Sequence, residues 1–262
     1  MPKNCALVFG APRIHLSYVS AFVRLLNFLY PPRCAACGIA LGIEATHRVC
    51  EACLQRTERL PAPPCMICGG PLDSPVSPDP RCSRCLASAP AFARARAVAR
   101  YLPAAEGQPG TLASVIRRHK YAFDQSLGRA LAEYLGHNLP LAAQDYDVVV
   151  PVPLHRRRLL ERGFNQAALL AAEVARRLDR PLDVRSLRRV RATAAQTARD
   201  LEERRRNVRG AFAVSNAAKI HALRVLLVDD VMTTGATVDE CARALLRAGA
   251  ASVDVFTLAR AL

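Results

Sequence analysis

The sequence predicts an α/β protein: a parallel sheet flanked by helices, preceded by a small cysteine-rich domain. Two segments, 147–165 and 224–237, each run from a short apolar stretch through a polar loop into a helical pattern. Strand, loop and helix in this order are typical of parallel sheets. Four Cys-x-x-Cys pairs lie between residues 34 and 85, in a stretch too poor in apolar residues to fold by burial alone.

The length and composition allow one main domain and a smaller attachment. The chain has 262 residues, 51% of them hydrophobic, which suffices for one good core but hardly for two full catalytic domains. We expect a tail and a short amphipathic helix at 1–30, a domain built on the cysteine pairs at 31–91, and the α/β domain at 92–262.

Positive charge is concentrated in one part of the chain. The formal net charge is +15, and residues 151–224, with 18 basic and 7 acidic side chains, carry +11 of it. A polyanion or a phosphorylated ligand is the partner that such a block fits.

The sequence predicts a cytoplasmic protein without a membrane span. No run of eighteen or more apolar residues occurs, so a spanning helix is not expected. The first apolar stretch is interrupted by Arg13, His15 and Arg24, and no small-residue cleavage site follows, which argues against a signal peptide.

The cysteine pairs predict two structural zinc ions. The eight residues are Cys34, Cys37, Cys50, Cys53, Cys65, Cys68, Cys82 and Cys85, with 12, 11 and 13 residues between successive pairs. Each Cys-x-x-Cys turn supplies two thiolates, and two turns complete a tetrahedral four-sulfur site, so we expect a double zinc ribbon. Disulfides are the alternative, which a reducing cytosol disfavours. Sequential pairing of the turns is simplest, and interleaved pairing stays open. Cys241 is expected to be a buried thiol.

The elements of the second domain follow from periodicity. Residues 96–101 alternate as in a strand, and 111–119 and 125–138 have helical patterns. A short apolar run at 147–152 predicts a buried parallel strand, and a helix opens after Gly163.

A basic loop follows the strand at 147–152. Because parallel strands end at one edge of the sheet, this loop predicts an anion pocket beside the loop at 229–237. The basic residues that we expect there are His155, Arg156, Arg157, Arg158 and Arg162.

The stretch Arg224 to Thr237, RVLLVDDVMTTGAT, predicts a phosphate-binding loop. Val225 to Val228 has the pattern of a buried strand, and a helix follows Gly235. Loop amides at a helix N-terminus attract a phosphate, and glycine allows the backbone to approach it. The phosphate-binding residues we expect are Thr233, Thr234, Gly235, Ala236 and Thr237.

Two adjacent carboxylates, Asp229 and Asp230, end the same strand. They repel each other and are costly to bury, so they require a partner. The hydroxyls of a ribose whose 5-phosphate occupies the loop, with a divalent cation nearby, fit this need. The alternative is an acidic turn that caps the helix.

The segment VLLVDDVMTTGAT resembles, along its whole length, the binding motif for phosphoribosyl pyrophosphate (PRPP) of type I phosphoribosyltransferases. The resemblance implies that fold, with PRPP and Mg²⁺ as ligands.

The polar stretch 191–212 has two interpretations. It fits a solvated helix in which acidic and arginine side chains pair. It also fits a mobile flap whose arginines, Arg204 and Arg205 among them, close over the pyrophosphate.

Further motifs resemble a narrower family, the ComF competence proteins and the related GntX group. They are the cysteine pairs after Pro31-Pro32, His119-Lys120-Tyr121, VPVPLH at 150–155 with Arg158, Arg162 and the Gly163–Gln166 segment, Gln196-Thr197, and the stretch ending at Phe212. This resemblance spans residues 22–262. It implies a role in uptake of single-stranded DNA during natural transformation or, outside competent bacteria, an ill-defined metabolic role.

Three functions are therefore weighed. The first, which we favour, is a PRPP-binding fold that also binds single-stranded DNA and acts in DNA uptake. The second is an active phosphoribosyltransferase of nucleotide metabolism, with Asp229 and Asp230 as catalytic and ribose-binding residues and an unknown base or amine as acceptor. The third is a zinc-ribbon interaction protein that docks a DNA-processing partner such as a competence helicase.

Overall fold

The computed structural model describes residues 28–42, 49–55, 57–60, 62–74, 79–102, 112–121, 125–193 and 201–262. The tail and most of the amphipathic helix expected at 1–30 lie outside the described residues.

Strands and helices alternate through the second half of the chain. The strands are β1 (Arg94–Arg100), β2 (Val148–Pro151), β3 (Leu187–Arg189), β4 (Phe212–Val214), β5 (Arg224–Met232) and β6 (Ser252–Arg260). The helices are α1 (Glu51–Gln55), α2 (Ser83–Ala87), α3 (Leu112–Tyr121), α4 (Gln125–His137), α5 (Arg156–Arg162), α6 (Gln166–Leu178), α7 (Leu201–Val208) and α8 (Ala236–Arg247). Each predicted strand and helix of the α/β domain is confirmed, with ends that differ by at most four residues, but the basic segment predicted as a loop is helical over Arg156–Arg162.

Four strands form one parallel sheet in the order β1-β6-β5-β2. Residues Val225 to Val228 of β5 have no exposed surface, as the apolar run predicts for a central parallel strand. The carboxyl ends of β2 and β5 therefore meet at one edge of the sheet. The strands β3 and β4 form a separate antiparallel pair.

The two faces of the sheet carry two hydrophobic clusters. Leu226 and Val228 of β5 point to one face and pack with α4 and α6. Val225 and Leu227 point to the other face, where α8 and the β3–β4 pair lie. This alternation along one strand is what helices on both sides of a parallel sheet require.

The cysteine-rich segment packs against β1, the strand at one end of the sheet. The amide of Ala95 donates to the carbonyl of Ile67 (2.6 Å), and that of Arg100 donates to the carbonyl of Glu58 (2.8 Å). A Cβ on Gly69 would lie 2.5 Å from the carbonyl oxygen of Ala95, so glycine permits this approach. The segment thus shares its core with the sheet, and the domain division at residue 91 stays a prediction.

No helix among the described residues has both the length and the apolarity needed to cross a membrane.

Candidate functional site

The loop between β5 and α8 places a glycine turn directly before a helix N-terminus. Gly235 adopts a left-handed conformation (φ +82°), which side-chain-bearing residues rarely adopt, and it caps the N-terminus of α8. The Thr234 hydroxyl accepts a hydrogen bond from the Ala236 amide (3.4 Å). The twelve-residue helix behind the loop adds its dipole, which favours an anion.

A cavity of about 190 Å³ opens over this loop and reaches the first aspartate. The residues that line it are Tyr101, Asp229, Val231, Met232, Thr233, Gly235, Ala236, Thr237 and Val238. Four of the five predicted phosphate-binding residues thus line one cavity. The fifth, Thr234, lies on the other side of the loop.

The two aspartates lie half-buried near the carboxyl end of β5, and the amide of Asp230 donates to Oδ1 of Asp229 (2.9 Å). Asp229 lines both the cavity over the loop and a second cavity beside it. A sugar that bridges the two cavities would therefore lie against this carboxylate.

The second cavity, also of about 190 Å³, is named here the basic chamber. It is lined by Val152, Pro153, Leu154, Arg158, Arg162, Asn165, Gln166, Ala167, Arg189, Asp229, Asp230 and Thr237. It lies where the carboxyl ends of β2 and β5 meet, as the sequence predicts for a second anion pocket.

The polar side chains of the basic chamber are held by their local structure. Asn165 caps α6, since its Oδ1 accepts from the Ala167 amide (3.1 Å), and its Nδ2 donates to the carbonyl of Val152 (3.1 Å). Arg162 donates to Oε1 of Gln166 (3.3 Å). The other end of that buried amide, Nε2, has no hydrogen-bond partner among the described residues. Such a buried donor at a cavity wall suits an anionic oxygen.

Arg189 of β3 also lines the basic chamber, although the sequence did not predict it as a site residue. Burial, and next the charge of Arg158, lowers the pKa of its guanidinium, whose central carbon lies 5.4 Å from the centre of the Phe212 ring. Its Nε is buried and has no hydrogen-bond partner within the described part of the chain. One arginine among many in residues 185–191 carries no local signal, so only the fold shows that this one enters the site.

Some predicted basic residues lie elsewhere. His155 caps α5, where its Nδ1 accepts from the Arg157 amide (3.3 Å). Arg157 itself is 81% exposed and pairs with Glu161 (3.1 Å), and Arg156 is exposed too. None of these three side chains lines the basic chamber.

Arg204 and Arg205 lie on α7, on the opposite side of the phosphate loop from the basic chamber. Arg204 lines a cleft of about 350 Å³ that we name the ribbon cleft. Its lining is Cys68, Gly70, Pro71, Asp73, Cys82, Ser83, Arg84, Arg204, Thr233, Thr234, Arg260, Ala261 and Leu262. Arg205 lines a small adjoining cavity with Thr234 and Gly235. The stretch is helical over Leu201–Val208, while 194–200 lies outside the described residues.

The eight cysteines form two clusters of four, in the sequential pairing. Within each cluster the sulfurs lie within 4.8 Å of one another. The Sγ–Sγ distances are 3.9 Å for Cys34–Cys53 and 3.7 Å for Cys68–Cys82. Zinc–sulfur bonds of about 2.3 Å in a tetrahedron require a separation of about 3.8 Å, so both clusters fit zinc.

Backbone amides favour the thiolate form of one cysteine in each cluster. Burial opposes ionisation of Cys34, but amide hydrogen bonds, the strongest from Cys50, outweigh it and lower the pKa to about 6. Burial likewise opposes ionisation of Cys65, but several amide hydrogen bonds, the strongest from Cys68, together outweigh it and lower its pKa to about 6. Both clusters are structural zinc sites, because four sulfurs leave no open position on the metal. Cys241 is fully buried, and burial raises its pKa well above the usual range, as expected for an inert core thiol.

Comparison with known families gives two matches. The double zinc ribbon domain matches residues 25–86, and the phosphoribosyl transferase domain matches residues 165–262.

Three relatives illustrate the similarity of the whole chain. The DNA utilization protein YhgH of Salmonella typhi is 35% identical over 237 residues, which cover 88% of this chain and 98% of that protein. Competence protein F of Haemophilus influenzae is 31% identical over 247 residues, 90% of this chain and 100% of that protein. Competence protein ComFC of Bacillus subtilis is 41% identical over 114 residues, 43% of this chain and 44% of that protein.

Proposed function

This chain belongs to the family of the DNA utilization protein YhgH and Competence protein F, and on that basis we propose that it acts in DNA uptake by binding PRPP with Mg²⁺ and single-stranded DNA. The main observation behind the proposal is that Asp229 lines both the cavity over the phosphate loop and the basic chamber.

Each part of PRPP has a counterpart in these two cavities. The amides and hydroxyls of residues 233–237 bind the 5-phosphate, and Asp229 and Asp230 accept hydrogen bonds from the ribose hydroxyls. Arg158, Arg162 and Arg189 hold the pyrophosphate, since guanidinium groups bind phosphate oxygens in pairs.

Mg²⁺ fits the same place, because it prefers carboxylate and phosphate oxygens as ligands. When bound, it neutralises charge between the pyrophosphate and the two aspartates.

Isothermal titration calorimetry with Mg²⁺ and PRPP tests the proposal. Replacing both Asp229 and Asp230 with Asn should weaken binding at least about 100-fold, because neutral amides balance neither the cation nor the ribose hydroxyls. Asp179→Asn is the matched control, since Asp179 ends α6 away from both cavities. Equal affinity in the double variant would refute the ribose site.

Single-stranded DNA is proposed to bind along the exposed arginines of α5. Arg156 and Arg157 face solvent outside the basic chamber, where they can follow a strand without blocking PRPP. We further propose a cytoplasmic location, with a competence helicase as a partner, which copurification from a competent host would test.

Transferase activity is a second candidate, favoured by the position of Tyr101. It lines the cavity over the phosphate loop, where none of the described lining residues is an arginine, whereas the basic chamber lies beyond Asp229. This leaves room for an uncharged acceptor opposite the departing pyrophosphate. Pyrophosphate release from PRPP with mixed bases or amines would support this activity, and release at background level would exclude it for those acceptors.

A further inference from the structure

A buried arginine connects the second zinc site to the phosphate loop. Arg260, the last residue of β6, is only 2% exposed. Its Nη2 lies 3.4 Å from Sγ of Cys68, and its Nη1 donates to the carbonyl of the same cysteine. Its charge is therefore placed beside a zinc ligand.

The charge of this arginine requires compensation, because guanidinium stays ionised in proteins and is costly to bury. No carboxylate among the described residues forms a salt bridge with Arg260, and its Nε has no hydrogen-bond partner there. A zinc ion with four thiolates carries roughly two net negative charges, so the metal-loaded cluster supplies the counter-charge.

The same guanidinium also holds the end of β5. Nη1 of Arg260 lies 3.7 Å from Sδ of Met232, and the amide of the next residue, Ala261, donates to the Met232 carbonyl (3.0 Å). Met232 directly precedes the phosphate loop. Its side chain would lie 3.9 Å from a Cβ placed on Gly235, so it packs under the loop.

The ribbon side of this contact is tightly fitted. A Cβ on Gly70 would lie 2.9 Å from Nη2 of Arg260 and 3.2 Å from Nε. The chain turn after Cys68 therefore presses its backbone onto the guanidinium and fixes its position between the zinc ligand and Met232.

We propose that Arg260 is a positioning residue that couples the second zinc site to the phosphate loop, so that either element orders the other. Loss of the metal leaves the buried guanidinium of Arg260 without its counter-charge. The guanidinium then no longer keeps its contact with the Met232 side chain. The inference deepens the proposed function, because the loop concerned is the one proposed to bind the 5-phosphate.

The test compares zinc-loaded full chains of wild type, Arg260→Met and the control Arg94→Met. Arg94 begins β1 and pairs with Asp254 (2.8 Å). Arg260 lies beside Arg100 at the opposite end of that strand, so Arg94 is away from the loop. Thiol alkylation in the presence of a chelator, located by peptide mass spectrometry, reports which four cysteines lose their metal. Hydrogen exchange of the amides of residues 232–237 reports the order of the loop without any ligand.

In Arg260→Met, Cys65, Cys68, Cys82 and Cys85 should be alkylated about tenfold faster than in wild type, because a charged hydrogen bond is lost. The first cluster should react at the wild-type rate, and the loop amides should exchange about tenfold faster. An unchanged second cluster, or an unchanged loop, would overturn the coupling.

A second variant guards against misfolding of Arg260→Met. Gly70→Ala keeps the arginine but displaces its guanidinium, and it should change both readouts in the same direction. PRPP calorimetry on the same samples separates the two proposals. Wild type that fails to bind PRPP would refute the ligand assignment, while alkylation and exchange still decide the coupling.

Discussion

The basic chamber and the ribbon cleft flank the same phosphate loop and are both rich in arginine, yet they are built differently. The arginines of the basic chamber, Arg158, Arg162 and Arg189, all come from the α/β domain. The ribbon cleft takes Arg84 from the second ribbon, Arg204 from α7 and Arg260 from the end of β6. The first needs only the α/β domain, whereas the second needs the ribbon as well.

The two cavities also differ in how far their buried hydrogen-bond donors already have partners. In the basic chamber, Nε2 of Gln166 and Nε of Arg189 are buried without a partner among the residues that the structure describes. Because unmet buried donors are costly, a bound anion would recover that free energy. In the ribbon cleft, Nε of Arg260 also lacks a partner among those residues, but both of its Nη atoms already contact Cys68, and Nη1 contacts Met232 too. The basic chamber is therefore suited to a ligand, and the ribbon cleft chiefly to coupling.

The largest expected effect comes from removing a ligand of the second zinc site. Cys82→Ser should lower the melting temperature by at least about 10 °C, because a buried four-sulfur site is lost from the shared core. The folded fraction should still bind inorganic pyrophosphate, since the basic chamber needs no residue of the ribbon. Scanning calorimetry and titration at low temperature measure the two quantities.

Cys50→Ser is the matched change in the first cluster, where Cys50 is only half-buried. It should lower the melting temperature less and leave loop exchange at residues 232–237 unchanged. Loss of pyrophosphate binding in folded Cys82→Ser would show that the two cavities are not independent.

A smaller effect is expected at Arg189, which tests the basic chamber alone. Arg189→Met should weaken PRPP binding about tenfold, because one charged donor to the pyrophosphate is lost. Arg188→Met is the control, since the neighbouring arginine is exposed and bonds the Arg185 carbonyl instead. Calorimetry that finds equal losses in the two variants would remove Arg189 from the site.

The smallest effects separate two neighbours on α5. Arg157→Ala should leave PRPP affinity unchanged and flatten the logarithmic salt dependence of single-stranded DNA binding by about 0.7, the value for one phosphate contact. Arg158→Ala should instead weaken PRPP binding. Fluorescence anisotropy over a salt series measures the slope, and an unchanged slope in Arg157→Ala would place the DNA elsewhere.

The sequence predicts most of the fold because its signals are local. Apolar runs, helical periodicity and the Cys-x-x-Cys turns each lie within a few residues, and the structure confirms the elements and the zinc clusters. Helical spacing could also have separated the arginines of α5. Arg158 and Arg162 are four residues apart on one face, whereas Arg156 and Arg157 are not on it.

The residues missed are those that the tertiary fold brings to the site. Arg189, Tyr101 and Arg260 lie at the ends of three different strands and meet the phosphate loop only when the sheet has formed. Their neighbours in sequence have no common pattern, so spacing offers no signal. The pairing of cysteines belongs to the same class, since the spacing fits either arrangement.

The contact between the ribbons and β1 has a consequence for the newly made chain. A strand at the end of a sheet offers unpaired backbone groups to any other strand, and proteins commonly cover such edges. Here the carbonyls of Ile67 and Glu58 accept hydrogen bonds from two amides of β1. Ile67 lies between two cysteines of the second cluster, so zinc binding there would fix the position of its carbonyl. A chain starved of metal, or oxidised at its thiols, would expose that edge and be prone to aggregate. Metal supply would then limit the yield of soluble protein in the cell.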